Sequence, residues 1–470
     1  MSLAAVAASG ERRQQGGMSE FAVRGKRVVV VGGAASGVAA ARLLVERGAA
    51  VTLTDLRPAL DAAADLASLG VTLALGSHPE RLLRESDLVV LSPGVPAAQP
   101  SVAAARAAGV PVVGEVELAS RWLRGRLVAI TGTKGKSTTT ALTGRILEAA
   151  GARALVGGNI GTPLASQVAG STPETVHVVE VSSFQLETTE TFHPWIAALL
   201  NLSADHLDRH ASVEEYAAAK ARIFARQTAR DIAVANADDA RALAMASAGR
   251  ARVVRFAREA RIDDGVTVDG GWIVDRGAGG DTRLVQTSDV RLIGPHLLAD
   301  VLAAAAIARV VGAAPAAVAG AVSSFAGLEH AMELVGEIRG VRFVNDSKAT
   351  NIDAARQAIE TFGRGLVVIM GGRFKGGDLR LLRPVLASRG ASVVAIGEAA
   401  PLMEEAFDGA AIVRTAASMA EAVRLAMAAA APGGSVLLAP ACASFDMFEN
   451  YAARGRAFKA EVDALRRDGR

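Results

Sequence analysis

The run Leu127-Val128-Ala129-Ile130-Thr131-Gly132-Thr133-Lys134-Gly135-Lys136-Ser137-Thr138 decides the fold class of this chain. Its apolar start predicts a buried strand, its glycines a tight loop, and the following Thr139 to Ala150 a helix. Backbone N–H groups of such a loop, added to the partial positive charge of a helix N-terminus, cradle polyphosphate oxygens. Lys136 is spaced to reach the terminal phosphates and Ser137 to ligate Mg²⁺. The strict G-x-x-x-x-G-K-[ST] pattern is not met, because Ile130 takes the first glycine position and Gly132 stands two residues later. The stretch therefore predicts an ATP or GTP site of a particular P-loop subclass.

Outward from this loop the chain alternates strand and helix. On the N-terminal side, Arg27 to Val31 reads as a β-branched strand, Gly32 to Gly37 as a tight turn, and Val38 to Arg47 as a helix; a second strand, Val51 to Thr54, ends at Asp55. Gly32, Gly33 and Gly37 depart from G-x-G-x-x-G spacing, so a nicotinamide site is poorly supported. Further strands are predicted at Leu88 to Leu91, running into Ser92-Pro93-Gly94, and at Pro111 to Val113. Beyond the loop come strands at Val176 to Val181 and Ile196 to Leu200, and a helical region from Glu214 to Gln227. Short antiparallel strands are expected within Ile262 to Val290, and a helix from Leu297 to Val311. After Phe325 a third series places strands at Arg342 to Val344, Leu366 to Met370, Val393 to Ile396 and Ser435 to Leu438. The expected architecture is α/β in three domains, 24–120, 121–325 and 326–470, behind a disordered tail at 1–23.

With 470 residues the chain has ample material for several cores. Its formal charge of +3 is nearly balanced, so the pI near 9.2 is a weak argument for nucleic acid, and none is expected as a partner. No apolar run approaches the roughly 20 residues of a membrane helix, so a soluble protein without a membrane partner is expected. Cys442 alone rules out an internal disulfide and any cysteine-cluster metal site, and suits a reducing compartment. Near the N-terminus small residues precede Glu11, Arg12 and Arg13, the reverse of a secretory signal. With no heptads or large apolar face, a monomer is expected.

Chemistry-bearing residues gather after the predicted strands. Glu180 ends one, where a carboxylate beside a P-loop can hold Mg²⁺, although a solvated strand end is the alternative. Another strand leads into Asn201-Leu202-Ser203-Ala204-Asp205-His206-Leu207-Asp208-Arg209-His210, where His206 is either a metal ligand or a hydrogen-bonded structural histidine. Lys220 lies within a helical segment and by default reads as a surface lysine.

The chain resembles the Mur ligase family over Arg24 to Ala464. The resemblance is carried by Thr131 to Thr138, Glu180-Val181-Ser182-Ser183-Phe184-Gln185-Leu186, Asp205-His206-Leu207-Asp208-Arg209, Asn345-Asp346-Ser347-Lys348-Ala349-Thr350-Asn351 and Pro440-Ala441-Cys442-Ala443-Ser444-Phe445-Asp446. It implies a Rossmann-like UDP-binding domain, a P-loop ATPase-like central domain and a Rossmann-like C-terminal domain. The implied reaction is ATP-dependent ligation of D-glutamate to UDP-N-acetylmuramoyl-L-alanine through an acyl phosphate, in cytoplasmic peptidoglycan precursor synthesis.

By the same resemblance, ATP is held by Gly132, Thr133, Lys134, Gly135, Lys136, Ser137, Thr138, Asp300, His330, Asp346 and Lys348. Ser137 and Glu180 would hold one Mg²⁺, and His206 a second. Lys220 would be carbamylated and serve as an anionic oxygen ligand. The UDP substrate would meet Ser36, Gly37, Asp55, Arg57, Ser92, Pro93, Gly94, Asn159 and Ser182. D-Glutamate would meet Thr350, Lys375, Ser444, Phe445 and Tyr451, with a packed helix aromatic as the alternative for Tyr451. Lys136, Glu180, His206 and Lys220 form the implied catalytic set. This chain departs from the family where Leu297 and Asp300 replace side-chain amides near adenine, where Ala331 replaces an arginine, and where Lys134 replaces an asparagine. The rival classes are a folylpolyglutamate-type ligase, a P-loop mechanical switch and a nicotinamide dehydrogenase; the first lacks a UDP-type domain, the second needs no amino-acid acceptor, and the third leaves the P-loop unexplained.

Overall fold

The computed structural model describes residues 21–203, 209–277, 279–292, 294–430 and 432–468. The expected tail lies outside the described residues as far as Glu20; Phe21 packs against Trp122 with ring centroids 5.4 Å apart, and Val23 is buried.

Runs of Val, Ile and Leu build three mostly parallel sheets, because strands covered by helices on both faces can be apolar throughout. In the first, β1 (Arg27–Val31), β2 (Ala50–Asp55), β3 (Thr72–Leu75), β4 (Leu88–Leu91) and β5 (Val112–Gly114) lie in the order β3-β2-β1-β4-β5. Val28 and Val30 of β1 face one apolar cluster and Val29 and Val31 the other, each contributing roughly 1.5 kcal/mol or more by burial. The order reverses between β1 and β4, and there the turn Gly32 to Gly37 and the loop Ser92 to Gly94 emerge side by side.

The second sheet comprises β6 (Arg126–Thr131), β7 (Arg153–Gly158), β8 (Thr175–Glu180), β9 (Ile196–Leu199), β10 (Ile232–Asn236), β11 (Arg252–Ala257), β12 (Gly265–Asp269), β13 (Trp272–Arg276) and β14 (Thr282–Gln286). Its order is β14-β13-β12-β11-β10-β9-β6-β8-β7, parallel except for the antiparallel pairs β12–β13 and β13–β14. β6 is flanked by β9 and β8, so the loops following all three leave the same edge as neighbours. Glu117, on the short helix Glu115–Ser120, accepts N–H bonds from Glu190, Thr191 and Phe192 and pairs with Arg121. That buried carboxylate fastens the segment after the first sheet to the second.

β15 (Glu333–Ile338), β16 (Val341–Asn345), β17 (Leu366–Gly371), β18 (Ser392–Ile396), β19 (Ile412–Ala416) and β20 (Ser435–Leu438) form the third sheet, ordered β15-β16-β20-β17-β18-β19. Only the β15–β16 hairpin is antiparallel. β20 lies between β16 and β17, which makes neighbours of the loops after Asn345, Leu438 and Gly371. The chain divides into two compact units: 21–289 with Ala299–Ser323, holding the first two sheets, and Val290–Leu298 with Ser324 onward, holding the third.

The helix predicted from Glu214 to Gln227 is shorter: Val213–Ala221 is α-helical and Arg222–Phe224 tightens into a 3₁₀ turn. There Arg222 donates from Nε to the Leu186 carbonyl at 2.9 Å and also bonds the Thr189 carbonyl, drawing the segment onto a neighbouring loop. Among the described residues no helix is long and apolar enough to cross a membrane.

Candidate active site

In the first unit the phosphate loop follows β6 and enters the helix Lys136–Ala149. Gly135 caps that helix at φ 80°, and a Cβ there would come within 1.9 Å of Asp300 Oδ1, so backbone geometry and space both demand glycine. The loop is pre-shaped by Asn201, the first residue of the quoted polar cluster. Its side-chain oxygen accepts the N–H groups of Thr133 at 3.1 Å and Lys134 at 2.8 Å, and its amide donates to the Lys134 carbonyl at 3.1 Å.

Glu180 is the buried carboxylate of this cluster, 2% exposed at the end of β8. Ser137 Oγ donates to Oε2 at 2.7 Å and Asn159 Nδ2 donates to Oε1 at 2.9 Å. Asn159, nominated from the family as a substrate contact, thus anchors the carboxylate. Ser182 is committed as well: its hydroxyl accepts from Gln185 N, capping the short helix Ser183–Glu187. The reading of Glu180 as a solvated strand end is overturned by its burial.

Two lysines converge on one carbonyl. Lys136 Nζ donates to the carbonyls of Gly132 at 3.1 Å and Thr133 at 2.9 Å. Lys220 Nζ donates to the same Gly132 oxygen at 2.8 Å and to Thr131 Oγ1 at 3.4 Å, and lies 4.6 Å from the centre of the Tyr216 ring. At 1% exposure Lys220 is no surface lysine. Helical periodicity missed this because its helix carries alanines on most faces, and Tyr216, one turn earlier and equally buried, was the available signal. His206 and Asp205 lie outside the described residues. His210 is buried against Phe184 and Tyr216, with Nε2 3.0 Å from Ser183 Oγ.

Asp300 is buried beside the loop and its Oδ2 has no hydrogen-bond partner. Burial pushes its carboxyl up to about 8, against the opposing charge of Lys136, so at neutral pH it is a neutral acid.

In the first sheet, Asp55 accepts from Gly33 N at 2.7 Å and from Arg57 Nε and Nη2 at 2.9 Å. The Arg57 guanidinium holds this carboxyl well below the usual range. Asp55 thereby ties the exposed Arg57 guanidinium to the turn. Ser36 is partly accessible, Gly37 is packed so closely that a Cβ would come within 1.8 Å of the Gly32 carbonyl, Ser92 is buried, Pro93 is half-buried and Gly94 is exposed.

The second unit gathers its own cluster on the loops after β16, β17 and β20. Ala441 N donates to the Ala349 carbonyl, while Arg373 and Ala443 exchange backbone bonds. Thr350 is half-buried, Lys375 exposed and Ser444 buried; Phe445 and Tyr451 are 65% and 42% exposed. The Tyr451 ring also packs edge-on against His330, with centroids 6.3 Å apart, so the packed-aromatic alternative stays open. Asp346, pushed up to about 7 by burial, accepts from Met332 N at 3.1 Å. Lys348 is exposed, and its N–H donates to the His330 carbonyl. His330 is buried at φ 65°, its Nδ1 2.9 Å from Asn345 Nδ2. His330, Met332 and Ala441 are non-glycine residues at positive φ on the loops of one sheet end, and Arg339 is a fourth, in the β15–β16 turn. Leu297 belongs to the apolar core of this unit, and Ala331 is half-buried.

The oxygen donor set of Ser137 and Glu180 suits a hard divalent cation: one carboxylate and one hydroxyl 2.7 Å apart, with room in the shell for phosphate and water. Among the described residues no group of three His, Cys, Asp or Glu forms a complete protein cage.

Three family models match: Mur ligase MurD-like, N-terminal domain, over residues 26–114; Mur ligase middle domain, over 130–308; and Mur ligase, glutamate ligase domain, over 331–442. The UDP-N-acetylmuramoylalanine–D-glutamate ligase of Acidobacterium capsulatum is 47% identical, covering 94% of this chain and 97% of that protein. Its counterpart from Koribacter versatilis is 44% identical, over 94% and 98%. Among solved structures, UDP-N-acetylmuramate-alanine ligase MurC from Thermotoga maritima superposes with a TM-score of 0.57 at 18% identity, covering 94% of this chain and all of that one. A pseudomurein peptide ligase type C from Methanothermus fervidus gives the same score and identity. These two likenesses speak for the fold. With family models along most of its length and such relatives over 94% of it, the chain belongs to the Mur ligase family.

Proposed function

We propose that the chain joins D-glutamate to UDP-N-acetylmuramoyl-L-alanine in cytoplasmic peptidoglycan precursor synthesis, consuming ATP and releasing ADP and phosphate. The observation that carries this reading is the Ser137–Glu180–Asn159 cluster at the mouth of a P-loop on which Lys136 and Lys220 converge. The names borne by the relatives supply the substrates.

The substrate carboxylate attacks the γ-phosphorus of ATP, forming an acyl phosphate as the bond to the β,γ-bridging oxygen breaks and ADP leaves. The amine of D-glutamate then attacks the activated carbonyl, an amide bond forms and phosphate leaves. Loop N–H groups from Gly132 to Thr138 and the Lys136 ammonium meet the charge that builds on phosphoryl oxygens. Lys136 can swing there from the Gly132 and Thr133 carbonyls, exchanging neutral acceptors for anionic ones. Mg²⁺, held by Ser137 and Glu180, supplies charge neutralisation and orientation of the phosphates when bound. Lys220 as a carbamate, with His206, would add a second oxygen-rich cation site; the Thr131 hydroxyl near Lys220 Nζ is a donor suited to a carbamate oxygen. Arg57, Ser36, Gly37, Ser92, Pro93 and Gly94 line the crevice for UDP, while Thr350, Lys375, Ser444, Phe445 and Tyr451 receive D-glutamate. The working divisions are 24–120, 121–325 and 326–470, in a monomer.

Phosphate release measured with UDP-N-acetylmuramoyl-L-alanine and D-glutamate, singly and together, tests this. Release that needs both substrates is expected. Release indifferent to them marks a switch ATPase and refutes the proposal.

A further inference from the structure

Among the described residues Arg454 is the largest fully buried side chain, and none of its hydrogen bonds goes to a carboxylate. It sits in the first turn of the helix Tyr451–Asp468, on the stripe of buried Phe458 and Val462. Its guanidinium reaches three loops at once. Nε donates to Ser347 Oγ at 3.0 Å and Nη2 to the Ser347 carbonyl at 3.0 Å; Nη1 donates to the carbonyls of Gly371 at 3.3 Å and Cys442 at 3.1 Å. Ser347 Oγ in turn donates to the Tyr451 carbonyl at 2.7 Å. Gly372, at φ 123°, keeps the neighbouring loops close: a Cβ there would come within 2.1 Å of the Ala443 carbonyl and 3.1 Å of Nη1.

Each proposed D-glutamate contact lies a few residues along from one of these anchors: Thr350 after Ser347, Lys375 after Gly371, Ser444 and Phe445 after Cys442, and Tyr451 one turn before Arg454 itself. We infer that Arg454 is the positioning residue of the amino-acid pocket, locking in register the three loops that carry its proposed contacts. This rests on the D-glutamate reading above. Burial lowers the guanidinium only to about 10, so the charge persists at neutral pH. Lysine keeps the charge yet cannot bridge three loops with one planar fork.

The test compares wild type, R454K, R454M and the milder Ser347→Ala by steady-state kinetics and by hydrogen exchange of the full-length protein. For R454K and R454M, KM for D-glutamate is expected to rise about tenfold or more, with KM for ATP within about twofold; S347A should show a smaller rise in the same direction. Amides at 348–350, 372–375 and 443–444 should exchange faster. Unchanged exchange overturns the tie. Faster exchange with an unaltered KM for D-glutamate, in a protein whose wild type uses it, overturns the positioning role. A wild type that ignores D-glutamate refutes the substrate reading and the pocket assignment together, while exchange still reports whether the tie holds.

Discussion

Replacing Asp300 by asparagine should stabilise the protein progressively as pH rises. In the fold this carboxyl is pushed from 3.8 to about 8 because burial beside Gly135 strips it of water and Oδ2 finds no partner. An acid whose folded value is raised contributes full stability below its unfolded value, loses it as pH climbs, and has lost it above the folded value. The slope between the two is about 1.4 kcal/mol per pH unit, so the gap between D300N and wild type should widen by roughly 3 kcal/mol from pH 5 to pH 7. Every other titrating group is common to both proteins and cancels in the difference. Trp122, Trp195 and Trp272 all lie in the unit that holds Asp300, so tryptophan fluorescence during guanidinium denaturation follows the relevant transition. A gap that stays constant from pH 5 to pH 7 would falsify the assignment of a buried, neutral carboxyl beside the loop.

E180Q keeps the shape of the side chain while removing the anionic oxygen that faces Ser137, and it should lower kcat by at least about a hundredfold with little change in melting temperature. Retention of more than a tenth of the wild-type kcat would remove Glu180 from the metal site. Lys220→Ala should abolish most activity and recover part of it when a short-chain carboxylate supplies the missing oxygens; full activity without any addition contradicts the carbamate role.

The sheets were legible because their strands are apolar runs buried on both faces, and Arg27–Val31 and Leu88–Leu91 stand where the pattern placed them. β3, β7, β10, β11, β15 and β19 were missed: arginines stand in β7, β11 and β19, β15 carries two glutamates, β3 is short and only partly buried, and alanines in the buried run of β10 blur it with the surrounding helical composition. Within the site, the loop residues announce themselves by glycine and lysine spacing, since the phosphate geometry requires both. Lys220, Asn201 and Arg454 do not, because each acts through a partner distant in sequence: Lys220 bonds Gly132, Asn201 bonds Thr133, and Arg454 bonds Ser347. For Arg454 the signal was present, as an arginine spaced four and eight residues from Phe458 and Val462 on an apolar stripe must point inward. Asp300 shows the converse. Its position was legible from the family pattern, but its neutral state follows from burial that only the fold reveals.

The most direct measurement of the proposed chemistry follows oxygen. With UDP-N-acetylmuramoyl-L-alanine labelled by ¹⁸O in the alanyl carboxylate, turnover in the presence of ATP and D-glutamate should place one labelled oxygen in each phosphate released, because the carboxylate oxygen that attacks phosphorus departs with it. Unlabelled phosphate accompanying amide formation, or phosphate released without D-glutamate, would contradict an acyl phosphate captured by the amino acid.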